Sequence, residues 1–255
     1  MKIAYIGLGA MGSAMVERLL KIYDDVTVFN RTPEKAKPLI ALGAKHAASL
    51  ADAVLDADVV MTSLLDDKAV LAVTKSIVSH MKPGAIHVSL STIMPDTAKK
   101  CFGFHQKHNT HYVSGAVMGV PVVARAGGLT TFCAGNQKAC EIIQPLLSTF
   151  SEQVVVLGSE AEIKAPNFMK ICMNYSLMTA LELMSELFVF AEKNDLDKEV
   201  VKIGLESIYG HPAFKRYIHK IADRDFDDVN FLMTGGQKDA RIFKQAFLES
   251  GVDIF

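Results

Sequence analysis

Short runs of β-branched and apolar residues recur through the first half of the chain, at 2–6 (KIAYI), 25–30 (DVTVFN), 58–63 (DVVMTS) and 85–91 (AIHVSLS). Each has the length of a strand, and between them lie helical stretches such as 11–22 and 33–42. This alternation is the βαβ rhythm of a parallel sheet covered by helices. Further runs at 111–117, 129–133 and 153–157 extend the sheet, and their closer spacing admits antiparallel pairing for some of them. The strand pattern stops at about Gly158.

From 163 to 194 the chain is rich in Met, Leu, Ala and Glu, with Pro166 at a position suited to a first helical turn. At 1.5 Å per residue, about 30 such residues span about 45 Å, more than one small domain needs. Apolar residues surround most of this helix, which predicts a connector buried between two domains or between subunits. The remainder holds helical segments around 198–208, 213–222 and 236–250, separated by YGHPAF and RDFDD.

Composition narrows the function classes. Of 255 residues, 50% are hydrophobic and 22% charged, which suits one large or two moderate cores. A net charge of -1 supplies no basic field for nucleic acid or an anionic membrane, so a small-molecule substrate is expected. Cys101, Cys133, Cys140 and Cys172 show neither CxxC spacing nor a paired His pattern, which disfavours a metal site or a disulfide framework. They read as buried free thiols in a reducing compartment. The first apolar run is short, carries Lys2 and leads straight into a glycine turn, unlike a signal peptide, and the apolar stretch near 171–190 contains Glu182 and Glu186. A cytoplasmic protein is expected.

That turn is Gly7-Leu8-Gly9-Ala10-Met11-Gly12, and it stands between a strand and a helix, the setting that gives a GxGxxG its meaning. Gly7 permits the tight turn, Gly9 lets the backbone approach a pyrophosphate, and Gly12 allows helix and strand to pack closely. Free N–H groups at the helix start face the anion. The second run ends in Asn30-Arg31-Thr32, where an NAD-preferring chain carries Asp or Glu for the ribose 2′-hydroxyl. Arg31 can bind a 2′-phosphate through its charged fork, with Asn30 and Thr32 donating hydrogen bonds. NADP(H) is the expected cofactor and NAD(H) the second choice; the alternative is that Arg31 is only a solvated charge. The expected fold is α/β, with an N-terminal Rossmann-type doubly wound domain over 1–162. An all-α domain for substrate binding and dimerisation follows over 163–255, entered through the long connecting helix.

GLGAMGSAM followed by VTVFNRT resembles the β-hydroxyacid dehydrogenase family, which includes 3-hydroxyisobutyrate dehydrogenase, tartronate semialdehyde reductase and glyoxylate/succinic semialdehyde reductase. The resemblance runs through most of the chain. Ser91-Thr92-Ile93 is similar to the family's segment beside the nicotinamide ribose, and ARAGGLT at 124–130 to the turn after its substrate motif. Lys170-Ile171-Cys172-Met173-Asn174 matches its KxxxN, and Gln237-Lys238-Asp239 its C-terminal QKD element. The resemblance makes Lys170 and Asn174 catalytic and adds Thr92 and Lys238 to the cofactor set, together with Leu64 and Leu65 just past the third run.

The chemistry of Lys170 also stands by itself. Hydride attack on a carbonyl carbon builds negative charge on oxygen, and an ammonium within hydrogen-bond reach supplies the proton. Asn174 follows one turn later on the same face, suited to fixing the substrate or steering Lys170. A helical lysine is more often a surface group, but the neighbours here are apolar. For Lys238 the alternative is an ordinary lysine at a helix start, and Asp239 is assigned first to stabilising that helix's N-terminus.

Two departures from the family pattern matter. Where the resembled loop carries Pro-Val-Ser-Gly-Gly, this chain has Ala116-Val117-Met118-Gly119-Val120, and Met118 cannot donate the serine's hydrogen bond. Ser114 and the amides around Gly119 are then the candidates for a substrate carboxylate, with Met118 beside them. GAVMGVP at 115–121 is also similar to the loop of imine reductases, which generally lack a lysine at the position of Lys170. Related chains commonly extend several tens of residues past ESGVDIF, so a shortened C-terminus is the second departure.

The leading expectation is an NADPH-dependent oxidoreductase of small 3-hydroxy acids or aldehyde acids, with Lys170 as general acid. The alternatives are an imine-reductase-like enzyme, motivated by Met118, and a non-catalytic NADPH-binding protein, motivated by the short C-terminus. The expected partners are a small-molecule substrate and further copies of the chain, as a homodimer or higher homo-oligomer, with no metal, nucleic acid or membrane.

Overall fold

Chain entry at the centre of a sheet decides where a crevice opens. In the computed structural model, which describes residues 1–227 and 233–253, β1 (Ile3–Ile6) lies between β2 (Val26–Phe29) and β4 (Val59–Thr62). From β1 the chain first moves outward through α1 (Ala10–Leu19), β2 and α2 (Lys37–Ala41) to β3 (Lys45–His46). It then returns through α3 (Leu50–Val54) to β4, and continues the other way through α4 (Asp67–Ile77) to β5 (Ile86–Ser89). The strand order therefore reverses between β1 and β4, and a crevice opens at their carboxyl ends.

All four residues of β1, β4 and β5 are buried, as apolar runs covered by helices on both faces must be. Tyr5 and Ile3 face one core, shared with Met15 and Leu19 of α1, whereas Ala4 and Ile6 face the other, shared with Val54 and Ile77. Beyond β5, α5 (Pro95–Gln106) leads to β6 (His111–Met118), and α6 (Pro121–Ala126) to β7 (Leu129–Gly135). Helix α7 (Gln137–Leu147) then crosses to β8 (Ser151–Gly158), completing an eight-stranded sheet in the order β3-β2-β1-β4-β5-β6-β7-β8. Of the three later runs, β6 and β7 pair antiparallel, from Val113↔Gly135 to Met118↔Thr130, and β8 joins β7 in parallel. The strand β3 has no counterpart in the sequence pattern, because its two residues are exposed and carry no apolar signal.

A polar chain crosses this otherwise apolar interior. His87 on β5 and His105 on α5 are both fully buried, and their Nδ1 and Nε2 atoms lie 3.0 Å apart. Thr62 Oγ1 closes one end on His87 Nε2 at 3.0 Å, and Thr110 Oγ1 closes the other on His105 Nδ1 at 2.8 Å. The Tyr112 ring stacks on His105 with centroids 5.4 Å apart.

Helices α8 (Ala165–Lys193), α9 (Lys198–Ile208), α10 (Pro212–Asp223) and α11 (Met233–Glu249) follow the sheet. The chain divides into two compact units: Met1–Ile171 with Arg241–Phe255, and Cys172–Ala240. This division differs from a cut at 162/163. The first turns of α8 and the last turns of α11 belong with the sheet, where Ala246, Phe168 and Pro95 line one small cavity. In the second unit, Met184, Leu205 and Ile218 form a core of their own with Phe188, Phe214 and Ile221 around them.

The long helix is not buried along its whole circumference: Leu183, Leu187, Val189 and Phe190 are exposed, as are Val200 and Ile203 of α9. Three cysteines are buried free thiols, but Cys172 is an exposed free thiol on α8, contrary to the expectation of burial. Among the described residues no helix is long and apolar enough to cross a membrane, and no group of three metal-ligating side chains occurs.

Candidate active site

The loop from β1 to α1 forms a cradle. Gly7 adopts φ +98, and a Cβ there would collide with the Ser63 carbonyl at the end of β4. A Cβ on Gly12 would likewise strike the Gly7 carbonyl, so the helix packs against the strand through bare backbone. Gly9 is the opposite case: nothing lies within 4 Å of a Cβ built on it. It is the N-cap of α1, without a side-chain capping bond, and the first turn of the helix carries no acid. Unopposed N–H dipoles around open space are the donor set that a pyrophosphate requires, so the residues present fit a dinucleotide. Beneath the cradle the Tyr5 hydroxyl and Ser63 Oγ lie 2.7 Å apart, and burial pushes the Tyr5 phenol above its ordinary range, keeping it neutral.

The end of β2 gives Asn30 a structural part as well. The Leu8 N–H donates to Asn30 Oδ1 at 2.9 Å, and Asn30 Nδ2 donates to the Thr32 carbonyl at 2.9 Å. Asn30 thus shapes the cradle from within, and of its two amide N–H groups one is spent on Thr32 while the other stays available as a donor. Arg31 and Thr32 are exposed, and Arg31 makes no ion pair among the described residues. On the far side of the crevice the Leu64 N–H donates to the buried Ser91 Oγ at 2.8 Å, and the Met94 N–H to Asp67 Oδ1 at 2.9 Å. These two bonds tie the loops after β4 and β5 together; Ser91 and Asp67 carried no sequence signal for this. Leu64 is half-buried beside Gly7, Leu65 is 74% exposed, and Thr92 is half-buried.

Lys170 lies in the second turn of α8, half-buried, and its Nζ donates to the Val117 carbonyl at 2.8 Å. Met118 Sδ stands 3.9 Å from the same nitrogen. Gly119 follows, exposed and at φ +128. The structure therefore brings Lys170 onto the loop that the sequence marks for substrate. It does not bring Ser114 there: Ser114 is 1% exposed, and its hydroxyl accepts from Asn167 Nδ2 at 2.7 Å. Burial and that bond make Ser114 an anchor of β6 on α8 and take it away from a substrate carboxylate.

Asn174, one turn beyond Lys170, belongs to the second unit. Its Nδ2 donates to the buried Asp239 Oδ2 at 3.1 Å, while Lys238 Nζ pairs with Asp239 Oδ1 at 2.8 Å. Helix α11 starts at Met233, so Lys238 and Asp239 sit in its second turn and neither is a helix-start residue. Asp239 is instead the carboxylate that joins Asn174 to Lys238.

Residues 2–158 match the family described as the NAD binding domain of 6-phosphogluconate dehydrogenase. Among curated proteins the chain is similar to an uncharacterized oxidoreductase of Bacillus subtilis, with 32% identity over 95% of this chain and 85% of the relative. It is also similar to an NAD-dependent L-serine dehydrogenase of Pseudomonas aeruginosa, with 30% identity over 78% of this chain and 67% of the relative. Among solved structures, a 3-hydroxyisobutyrate dehydrogenase from Mycobacterium tuberculosis shares the fold, with TM-score 0.86 and 24% identity over 99% of this chain and 88% of the other.

Proposed function

This chain belongs to the NAD(P)-dependent β-hydroxyacid dehydrogenases, and from that premise we propose that it interconverts small aldehyde acids and 3-hydroxy acids using NADP(H). The observation that carries the reading is the half-buried ammonium of Lys170, held on the Val117 carbonyl at the loop containing Met118 and Gly119. The nicotinamide cofactor supplies or accepts the hydride. In reduction Lys170 gives its proton to the carbonyl oxygen as charge develops there, and in oxidation the neutral amine takes the hydroxyl proton. Asn174 donates through Nδ2 to Asp239 and keeps Oδ1 as acceptor capacity, which supports its assignment as a substrate-fixing residue.

For the 2′-phosphate, Arg31 supports the reading, since it is exposed at the end of β2 and without an ion-pair partner among the described residues. Arg31→Asp is expected to lower kcat/KM with NADPH and shift preference toward NADH. Initial rates with both cofactors on glyoxylate and succinic semialdehyde check this, and an unchanged cofactor ratio removes Arg31 from the assignment.

The Met118 thioether beside Lys170 favours a second reading, reduction of a less polar substrate such as a cyclic imine. The same assay with a cyclic imine separates the two. NADPH binding without turnover of any of these substrates would leave a nucleotide-binding protein. The buried thiols support a reducing, cytoplasmic location. We also propose a homodimer or higher homo-oligomer, supported by exposed Leu187, Phe190 and Ile203. Sedimentation of the full chain is expected to give a mass of at least two chains, and Phe190→Glu to lower it.

A further inference from the structure

We infer that Asn167 is a positioning residue for Lys170, acting through its buried hydrogen bond to Ser114. The inference rests on the reading of Lys170 as the proton donor.

Two contacts fasten α8 to β6. Asn167 Nδ2 donates to Ser114 Oγ at 2.7 Å, and three residues further along each element Lys170 Nζ donates to the Val117 carbonyl at 2.8 Å. Residues i and i+3 of a helix share a face, so both side chains turn toward the strand. The second contact exists because β5 ends its pairing with β6 at Ser89↔Ser114. Beyond that point the β5 ladder gives β6 no partner, and the ammonium meets a carbonyl that would otherwise lose its hydrogen bond in a mostly buried strand.

The first contact sets the geometry of the second. Asn167 is 2% exposed and Ser114 1% exposed, and a buried amide and hydroxyl are tolerated only when paired. An apolar pair at these positions would pack α8 against β6 without fixing its slide or rotation. A hydrogen bond is directional and fixes both. Because Lys170 follows within one turn, the Asn167–Ser114 bond sets where its backbone stands against β6 and the Val117 carbonyl then holds its ammonium, and a 1 Å misplacement at a reacting group costs about 100-fold in rate.

Asn167→Ala and Ser114→Ala are each expected to lower kcat by about 10- to 100-fold, with KM for NADPH within about twofold of wild type. The double variant is expected to be no worse than either single one, and Ser114→Thr, which keeps the hydroxyl, to restore most of the rate. On a Lys170→Ala background, Asn167→Ala is expected to have no further effect. A second readout does not depend on activity: acylation of Lys170 by an amine-directed reagent, followed by peptide mass spectrometry, is expected to accelerate severalfold in either single variant. Ser114→Ala is the smaller change and decides alone if Asn167→Ala fails to fold. Unchanged acylation of Lys170, or a further loss on the Lys170→Ala background, overturns the inference. If acylation accelerates but Lys170→Ala turns over like wild type, the positioning stands and the assignment of Lys170 as proton donor falls.

Discussion

Lys170→Ala is expected to lower kcat by about 10²- to 10⁴-fold, the contribution typical of a positioned general acid, while the dissociation constant for NADPH stays within about twofold. The asymmetry follows from where the side chain is anchored. Its ammonium is bound to the Val117 carbonyl and lies beside Met118 at the end of β6, whereas the cradle that fits a pyrophosphate is built by Gly7, Gly9 and Gly12 after β1, and none of these glycines touches Lys170. Removing the amine therefore deletes a proton source and leaves the nucleotide donors intact. It also deprives the Val117 carbonyl of a charged donor, which adds a stability loss of about 1–3 kcal/mol, visible as a lower Tm. Lys170→Arg keeps the charge but holds its proton too firmly to transfer it, so its rate is expected to remain close to that of the alanine variant. Absorbance of NADPH under steady-state conditions, paired with fluorescence titration of the nucleotide, separates the two effects. Equal losses of binding and turnover would identify Lys170 as a structural residue, and an unchanged kcat would require a different acid.

Acidification between pH 6.5 and about 4 is expected to destabilise the protein with a slope of about 2.7 kcal/mol per pH unit from His87 and His105 alone. The chain Thr62–His87–His105–Thr110 is satisfied when each imidazole is neutral, because His87 Nδ1 and His105 Nε2 then share a single proton. Burial holds His87 well below its ordinary pKa, with the neighbouring His105 adding to the effect. For His105, burial and the charges of His108 and His111 bring the pKa down to about 3. The sign follows from proton counting. Above pH 6.5 both states carry neutral rings and stability does not depend on them. Below it the unfolded chain takes up two protons that the folded chain refuses, and stability falls until the folded pKa values are reached, about 3 for His105. At pH 5 the loss is about 4 kcal/mol relative to pH 7, a large part of the stability of a typical domain. Urea unfolding at pH 7.5, 6 and 5 measures it, and a double His87→Gln, His105→Gln variant is expected to lose this slope. A wild-type slope showing no proton uptake beyond that of the exposed histidines would mean that the buried pair is already protonated.

Local signals in the chain carried a good deal of this protein. Apolar runs of strand length placed β1, β2, β4 and β5, and the pattern's end at Gly158 coincides with the end of β8. The spacing of Gly7, Gly9 and Gly12 marked the turn, since a glycine's steric freedom is a property of the residue and its immediate neighbours. Lys170 and Asn174 were singled out by their resemblance to the family's KxxxN, and their spacing of four puts them on one helical face. The greasy circumference of 163–194 likewise marked a long helix, expected to be buried between domains or subunits, and in the single chain its Leu187, Val189 and Phe190 are exposed.

What only the tertiary structure decided are bonds between residues far apart in the chain. Ser114 reads as a free hydroxyl on a substrate loop until Asn167, 53 residues later, is seen to occupy it. Asn30 reads only as a phosphate donor until Leu8, 22 residues earlier, is seen to donate to its carbonyl oxygen and make it a brace of the turn. His87 and His105 carry no motif at all, yet they meet at 3.0 Å. Sequence periodicity reports how a segment turns its faces, which depends on neighbours within a few positions. Which polar group meets which depends on how whole elements stack, and a hydrogen bond spends a group's donor or acceptor capacity on one partner at a time.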